Sequence, residues 1–281
     1  MEPALYIVAT PIGNLGDITR RALRVLAEAD LIAAEDSRIT GKLLDAEGIE
    51  ARFLPYHEHS ASTVAERIVA QIAAGKSVAL VSDAGTPTIS DPGYRLVRAV
   101  QNAGLAVVPV PGACAAIAAL SGAGLPSDRF TFEGFLPAKR EARRARLETL
   151  ARAAETRVFY EAPHRILESL EDCVAVLGPE REAALARELT KRFETLRRAS
   201  LGELRDWVRV DANQARGELV LVIAPDTTAS DDALDSKTLS LLVDLADHVP
   251  ARQAAKLIAR YSGKPARALY EELLRHRERR T

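Results

Sequence analysis

The sequence predicts an α/β protein whose first half carries a mostly parallel sheet covered on both faces. Two observations predict it. Short apolar runs at residues 5–9, Leu31–Ala34, Val78–Val81 and Val107–Val110 alternate with helical patterns at residues 18–29, 38–47, 62–74 and 94–103. Three of the runs open into loops rich in Gly and Pro, and open α/β sheets bind ligands beyond the carboxyl ends of their strands.

The loop after Val81 is the most informative. It reads Ser82-Asp-Ala-Gly-Thr-Pro-Thr-Ile-Ser-Asp-Pro-Gly93. Gly85 and Gly93 permit backbone conformations closed to other residues. Pro87 and Pro92 fix φ and stiffen the segment. Asp83 and Asp91 offer carboxylates to hydroxyl or amino groups. An ordinary βα turn has the same composition, so two companion loops carry the weight. The first strand runs into a loop with Pro11, Gly13 and Gly16. The run Val107–Val110 leads through Pro111-Gly112 to Cys114, Ala115 and an Ala-rich helix start. Loops of this kind at one sheet edge make a pocket.

The pocket is not written for phosphate. There is no GxxxxGK[ST] and no GxGxxG after the first strand, which disfavours a P-loop and a standard dinucleotide site. Basic residues are scarce in the loops. A ligand rich in hydroxyl and amino groups fits better.

Helix ends follow the same logic. Gly75 and Gly104 sit where a helix C-terminus wants glycine. Near residues 122–129 Gly and Pro cluster, aromatics follow at residues 130–135, and a domain boundary is placed there. Beyond it, strands at residues 157–161, 183–187 and 218–223 mix with helices at 139–154 and 164–176. The expected domains are 1–124, 125–226, and a linker with a basic helical tail at 227–281.

Composition bounds the class. The chain has 281 residues, 47% hydrophobic and 27% charged, as in ordinary globular proteins. With 38 Lys+Arg against 39 Asp+Glu the net charge is -1, so only the distribution of charge speaks to nucleic acid. Cys114 and Cys173 are too few for a disulfide framework or a metal cluster. No run is long enough to span a membrane, and the N-terminus enters a strand without a leader. A cytoplasmic protein without membrane attachment is expected.

Two basic features stand out. Residues 139–146 hold Lys139, Arg140, Arg143, Arg144 and Arg146 against Glu141, which suits a solvated helix face as well as RNA. The tail predicts three short helices near residues 237–247, 251–261 and 265–275, the last two joined by a tight turn at Ser262-Gly263. That pair resembles a helix-turn-helix unit. From Ala251 on, Arg and Lys outnumber Glu, an electrostatic footprint for nucleic acid. A dimer-stabilising tail is the alternative.

These loops, together with Tyr160-Glu-Ala-Pro-His-Arg165, Arg187-Glu-Leu-Thr-Lys191 and Arg216-Gly-Glu-Leu219, resemble the tetrapyrrole-methylase-like superfamily. The resemblance runs from Leu5 to Ile223. Tetrapyrrole methylases proper usually carry a GxGPGD-like first loop. Here it is Thr10-Pro-Ile-Gly-Asn14, which favours the branch that methylates ribosomal RNA. The resemblance implies a two-domain tetrapyrrole-methylase-like α/β fold with S-adenosylmethionine between the domains, and a homodimer. It implies 2′-O-methylation of a cytidine in 16S rRNA, with that rRNA or the small ribosomal subunit as partner. Matched residue by residue, it implies donor contacts at Pro11, Ala84, Gly85, Thr86, Ile89, Cys114, Ala115, Glu161, Leu189 and Gly217, with Asp83 beside them. No metal is expected.

Methyl transfer to a ribose hydroxyl needs alignment and a base within hydrogen-bond reach. Glu35 and Asp36 end the second strand at the same sheet edge as the loops, and related methylases carry an acidic catalytic residue at the position matching Glu35. Asp36 is equally a reasonable N-cap. His57 and His59 are the next candidates, since a neutral imidazole can accept a proton near pH 7. Lys191, near Glu188, could lower the acceptor's pKa or hold a phosphate. Arg20, Arg21 and Arg38 are candidate phosphate contacts. The competing functions are a precorrin-type C-methyltransferase and an RNA-binding module without catalysis.

Overall fold

The structure is a computed structural model that describes residues 1–56, 61–226 and 236–278. The described residues form two compact units, Met1–Pro225 and Asp226–Thr281.

The first unit holds two five-stranded sheets. In the first, β1 (Leu5–Val8), β2 (Leu31–Ala34), β3 (Phe53–Pro55), β4 (Val78–Val81) and β5 (Val107–Val110) lie in the order β3-β2-β4-β1-β5. Every pairing is parallel. The apolar runs are nearly continuous because both faces are covered. Helices α1 (Arg20–Glu28) and α2 (Ser37–Ala46) meet one face through Val25, Leu26 and Leu44. Helices α3 (Ala61–Ala73) and α4 (Tyr94–Asn102) meet the other through Ile68, Ile72, Leu96 and Val100. The Thr19 hydroxyl caps α1 by accepting the N–H of Ala22 at 3.1 Å. Parallel connections send every β-to-α loop to the same edge, so the three Gly/Pro loops share it.

Helix α5 (Ala115–Gly122) leaves β5 and packs on the second sheet, its Ala116, Ala119 and Leu120 against Val158, Ala184, Val220 and Val222. That sheet comprises β6 (Phe130–Phe135), β7 (Thr156–Glu161), β8 (Glu182–Arg187), β9 (Thr195–Ser200) and β10 (Leu219–Ile223), ordered β6-β7-β10-β8-β9. Only β6 and β7 run parallel. Its other face is covered by α6 (Arg140–Leu150), α7 (Ile166–Leu177) and α8 (Leu201–Val210) around Leu147, Leu170 and Leu204. The Ser200 and Glu203 side chains make a reciprocal capping box at the start of α8.

The second unit is three helices, α9 (Ser236–His248), α10 (Ala251–Ser262) and α11 (Ala266–Glu278), on a small core of Leu242, Ala246, Ala254, Ile258, Leu269 and Leu273. Gly263 ends α10 at φ +70°, the left-handed cap glycine accepts readily. Among the described residues no helix is long and apolar enough to cross a membrane.

Candidate active site

The three loops of the first sheet are bound into one surface. The Thr10 N–H donates to the Gly85 carbonyl at 2.9 Å and the Gly85 N–H returns to the Thr10 carbonyl at 3.1 Å. The Thr10 hydroxyl donates to the Ser82 carbonyl at 3.2 Å. The Thr86 hydroxyl donates to the Ala113 carbonyl at 2.9 Å, joining the third loop. Gly85 holds φ +81°, and a Cβ there would approach Ile12 Cγ2 to 3.2 Å.

Facing this surface, the turns of the second sheet close a cavity of about 390 Å³, within the range of small-molecule sites. Its backbone is strained on both sides. Among the described residues, the non-glycine residues with positive φ are Thr88 (74°), Ser90 (65°), Glu188 (51°) and Thr190 (67°). All four lie in the two loops beside the cavity, and strain of this kind gathers at functional sites.

The cavity brings together most of the positions singled out from sequence. Ala84, Gly85, Thr86, Ile89, Cys114 and Ala115 line it from the first sheet, and Glu161, Leu189 and Gly217 from the second. Pro11 and Asp83 do not line it. Pro11 is buried and its neighbour Ile12 reaches the cavity instead. Asp83 turns toward β2, where its Oδ1 accepts the N–H of Asp36 at 3.0 Å. Ser90 and Asp91, Phe135 and Tyr160, and Glu218 also line the cavity without having been assigned to it. The signal for Asp91 was present in the loop itself; Phe135 lies in a segment that reads as a domain boundary.

The lining is mostly apolar and holds no Lys, Arg or His, while Asp91, Glu161 and Glu218 supply carboxylates. It suits a ligand with apolar rings and positive rather than negative charge. The buried Glu161 carboxylate is held by the Ala162 N–H at 2.9 Å and the Ser169 hydroxyl at 2.6 Å. Tyr160 accepts the N–H of Ala116 at 3.2 Å. Burial, then the neighbouring Cys114, pushes its phenol well above the usual range. Burial, then the charge of Glu35, pushes the Asp91 carboxyl up to about 6.

The other wall is set by Lys191. Its ammonium donates to Glu188 Oε1 at 2.8 Å and Glu218 Oε2 at 3.1 Å. Burial disfavours the Lys191 charge, but these two bonds outweigh it and raise its pKa. Gly217 sits at φ +78°, and a Cβ there would land on the Glu188 carboxyl.

The four candidate catalytic residues part company. Glu35 is half-buried at the end of β2 and does not line the cavity. Asp36 caps α2 by accepting the Arg38 N–H at 2.8 Å and pairs with the Arg38 guanidinium. The Arg38 bonds hold its carboxyl down at about 2, which makes it a weak base. Lys191 is a paired cation and does not accept protons at neutral pH. His57, like His59, lies outside the described residues.

The basic helix reads differently in three dimensions. Arg140, Arg143 and Arg144 all converge on Asp172, at 3.2, 2.8 and 2.6 Å. Arg143 and Asp172 are both fully buried. Arg146 pairs with Glu133 at 2.5 Å. These charges hold α6 to α7 and β6, and Arg143 is withdrawn from the surface altogether. Arg38 is likewise engaged by Asp36.

The tail does present charge. On α10, Arg252, Lys256 and Arg260 recur every four residues and are exposed, which places them on one face. Leu257 and Tyr261 stand beside them, Tyr261 at 88% exposure.

Residues 4–205 match the family described as Tetrapyrrole (Corrin/Porphyrin) Methylases. The chain is 53% identical over 270 residues to "Ribosomal RNA small subunit methyltransferase I" of Escherichia coli O157:H7, covering 96% of this chain and 94% of that protein. It is 51% identical to the protein of the same name from Pseudomonas aeruginosa, covering 96% of each. Among solved structures it resembles uroporphyrin-III C-methyltransferase of Thermus thermophilus complexed with S-adenosylhomocysteine, with a TM-score of 0.53, 19% identity, and coverage of 79% and 97%. It also resembles diphthine synthase, with a TM-score of 0.60, 17% identity, and coverage of 80% and 90%. These structures share the fold.

Proposed function

The chain belongs to the tetrapyrrole methylase family, and from that premise we infer that it is an S-adenosylmethionine-dependent methyltransferase acting on 16S ribosomal RNA. The observation that carries this is identity of about half the residues, over nearly the whole of both chains, to small-subunit rRNA methyltransferases.

The cavity fits the donor. Apolar walls suit the adenosyl group, small residues at Ala84, Gly85, Ala115 and Gly217 let the backbone approach, and the Glu161 and Glu218 carboxylates, in a lining without lysine or arginine, suit its sulfonium and ammonium charges. Asp83 and Pro11 act one step back, by fixing the loops. When bound, the donor supplies an electrophilic methyl group. The protein's part is to align acceptor and donor, exclude water and take up the acceptor's proton.

The finer reading is the 2′-oxygen of a cytidine as acceptor, in a homodimer working in the cytoplasm. Residues 1–124 and 125–226 would form the two walls, and residues 227–281 would bind RNA through the basic face of α10. On α6 the buried Arg143 is unavailable to RNA. A tetrapyrrole acceptor is the second reading, favoured only by the fold shared with uroporphyrin-III C-methyltransferase.

The test is methyl transfer from labelled S-adenosylmethionine to small ribosomal subunits lacking the modification, with nucleotide-resolved mass spectrometry. One 2′-O-methylated cytidine is expected. Transfer to a tetrapyrrole and none to RNA would overturn the reading.

A further inference from the structure

Five titratable side chains line the cavity, and four are committed or unsuited to taking a proton from a hydroxyl. The Glu161 carboxylate is occupied by the Ala162 N–H and the Ser169 hydroxyl. Glu218 is bound to the Lys191 ammonium at 3.1 Å. Tyr160 is a phenol driven further from ionisation by burial and by Cys114. Cys114 is the half-buried residue before α5 and packs with Tyr160 in the apolar cluster under that helix. Asp91 is the fifth.

Asp91 is placed for a different task. It follows Ser90, held at φ 65°, and precedes Pro92, in a loop that also holds Thr88 at φ 74°. Two strained residues within three positions fix the direction in which Asp91 leaves the chain. Gly93, at φ +150°, leaves no room for a Cβ, which would approach Thr88 Cγ2 to 2.9 Å. The loop is therefore locked just where the carboxylate meets the cavity.

We propose that Asp91 is the general base that accepts the proton of the acceptor hydroxyl. The assignment rests on the methyl-transfer reading above. In the step, the hydroxyl proton passes to an Asp91 oxygen as the hydroxyl oxygen bonds to the methyl carbon. The carbon–sulfur bond breaks and its electron pair stays on sulfur, leaving a neutral thioether, a methyl ether and a protonated Asp91. The proton then leaves to water.

Among the described residues, four groups act on Asp91. Ser82, at the end of β4, hydrogen-bonds it and favours the charged form; Glu35 from β2 and Asp83 from its own loop disfavour it. Tyr160 faces it from β7. With burial the largest influence, the balance puts its carboxyl at about 6. It is thus ionised at neutral pH yet a stronger base than an ordinary aspartate.

The experiment uses the full chain and methylation-deficient small subunits. Single-turnover transfer is followed from pH 5 to 9 for wild type, Asp91→Asn and Asp91→Glu, with donor affinity measured by calorimetry. Wild-type rates are expected to rise to a plateau with a midpoint near 6. Asp91→Asn is expected to lose about 10²–10⁴-fold in rate, to lose that inflection, and to bind the donor within about threefold. Asp91→Glu is expected to recover part of the rate. An Asp91→Asn rate within tenfold of wild type with the inflection retained overturns the assignment, as does equal loss of rate and donor binding. If wild type binds donor but never methylates the subunit, the proposed function fails and the base assignment fails with it.

Discussion

Lys191 lies across Gly13. A Cβ at Gly13 would collide with the carbons of the Lys191 side chain, whose ammonium bonds Glu188 and Glu218. One side chain thus joins the first loop of the first sheet to the far wall of the cavity. Gly13→Ala is expected to weaken donor binding by displacing Lys191, and Lys191→Ala to weaken it by releasing Glu188. Because both act on one contact, the double variant should lose less than the sum. A double-mutant cycle by calorimetry should return a coupling of about 0.5–3 kcal/mol. Additive losses would mean that the contact does not transmit to the donor site.

Gly217→Ala should be costly for two reasons at once. The backbone is left-handed at φ +78°, and the new methyl group would land on the Glu188 carboxyl. Gly48→Ala is the matched control, at φ +66° with open space around it. Urea melts should show about 1 kcal/mol lost in the control and more at Gly217. Donor affinity should fall only at Gly217. Equal losses would mean that Glu188 moves aside freely.

Removing Asp172 should unfold much of what α6 contributes. Asp172→Ala strands the buried Arg143 without its carboxylate, a change on the order of 3–5 kcal/mol. Burial raises the Asp172 pKa, but the arginine bonds outweigh it and the net shift is down. Its stabilisation is therefore present above the unfolded value of about 3.9 and lost as pH falls through the lower folded value. Acid titration of stability should show this loss in wild type and not in Asp172→Asn.

Asp91 carries the opposite sign. Its folded pKa is raised to about 6, so ionising it costs stability as pH climbs from about 4 through that value. Asp91→Asn should melt at a higher temperature than wild type at pH 8 and at the same temperature at pH 4. A variant less stable at pH 8 would show that the charge is welcome where it sits. Gain in stability with loss of rate is the usual signature of an active-site group.

Replacing Arg252, Lys256 and Arg260 by Ala should weaken RNA binding and flatten its salt dependence. Each lost phosphate contact lowers the slope of log K against log salt by about 0.7–0.9. Donor affinity should not change. An unaltered salt slope would assign α10 another role.

The strand–helix alternation made the first sheet legible, because parallel strands buried on both faces leave uninterrupted apolar runs. The cavity was legible to the extent that its residues sit in Gly/Pro loops at strand ends. Four elements escaped. β3 is three residues long and ends in a proline, too short to show a pattern. β6 carries Gly134, at φ +69° in a register shift between Phe132 and Gly134, and a bulge looks like a break in one dimension. β9 is an edge strand whose Arg197 and Arg198 interrupt any alternation, a device that also protects an edge. α8 announced itself through Ser200 and Glu203, three residues apart, and was passed over. The arginine cluster of α6 was hidden for a different reason. Charge along a helix is visible in sequence, whereas the single buried Asp172 that gathers three arginines comes from α7 and is visible only once the two helices pack.

The order β3-β2-β4-β1-β5 has a consequence for synthesis on the ribosome. β1 precedes both its partners in the chain, which pair with it through Val78 and Val107. Some hundred residues must emerge before the centre of the first sheet has both its partners, and closing loops of that length is slow. Meanwhile β1 must stay unpaired without joining another chain. The three helices after Asp226 pack on one another around a small core of their own, and local contacts of that kind form fast. The helical unit is thus built to fold quickly, and β1 is built to wait.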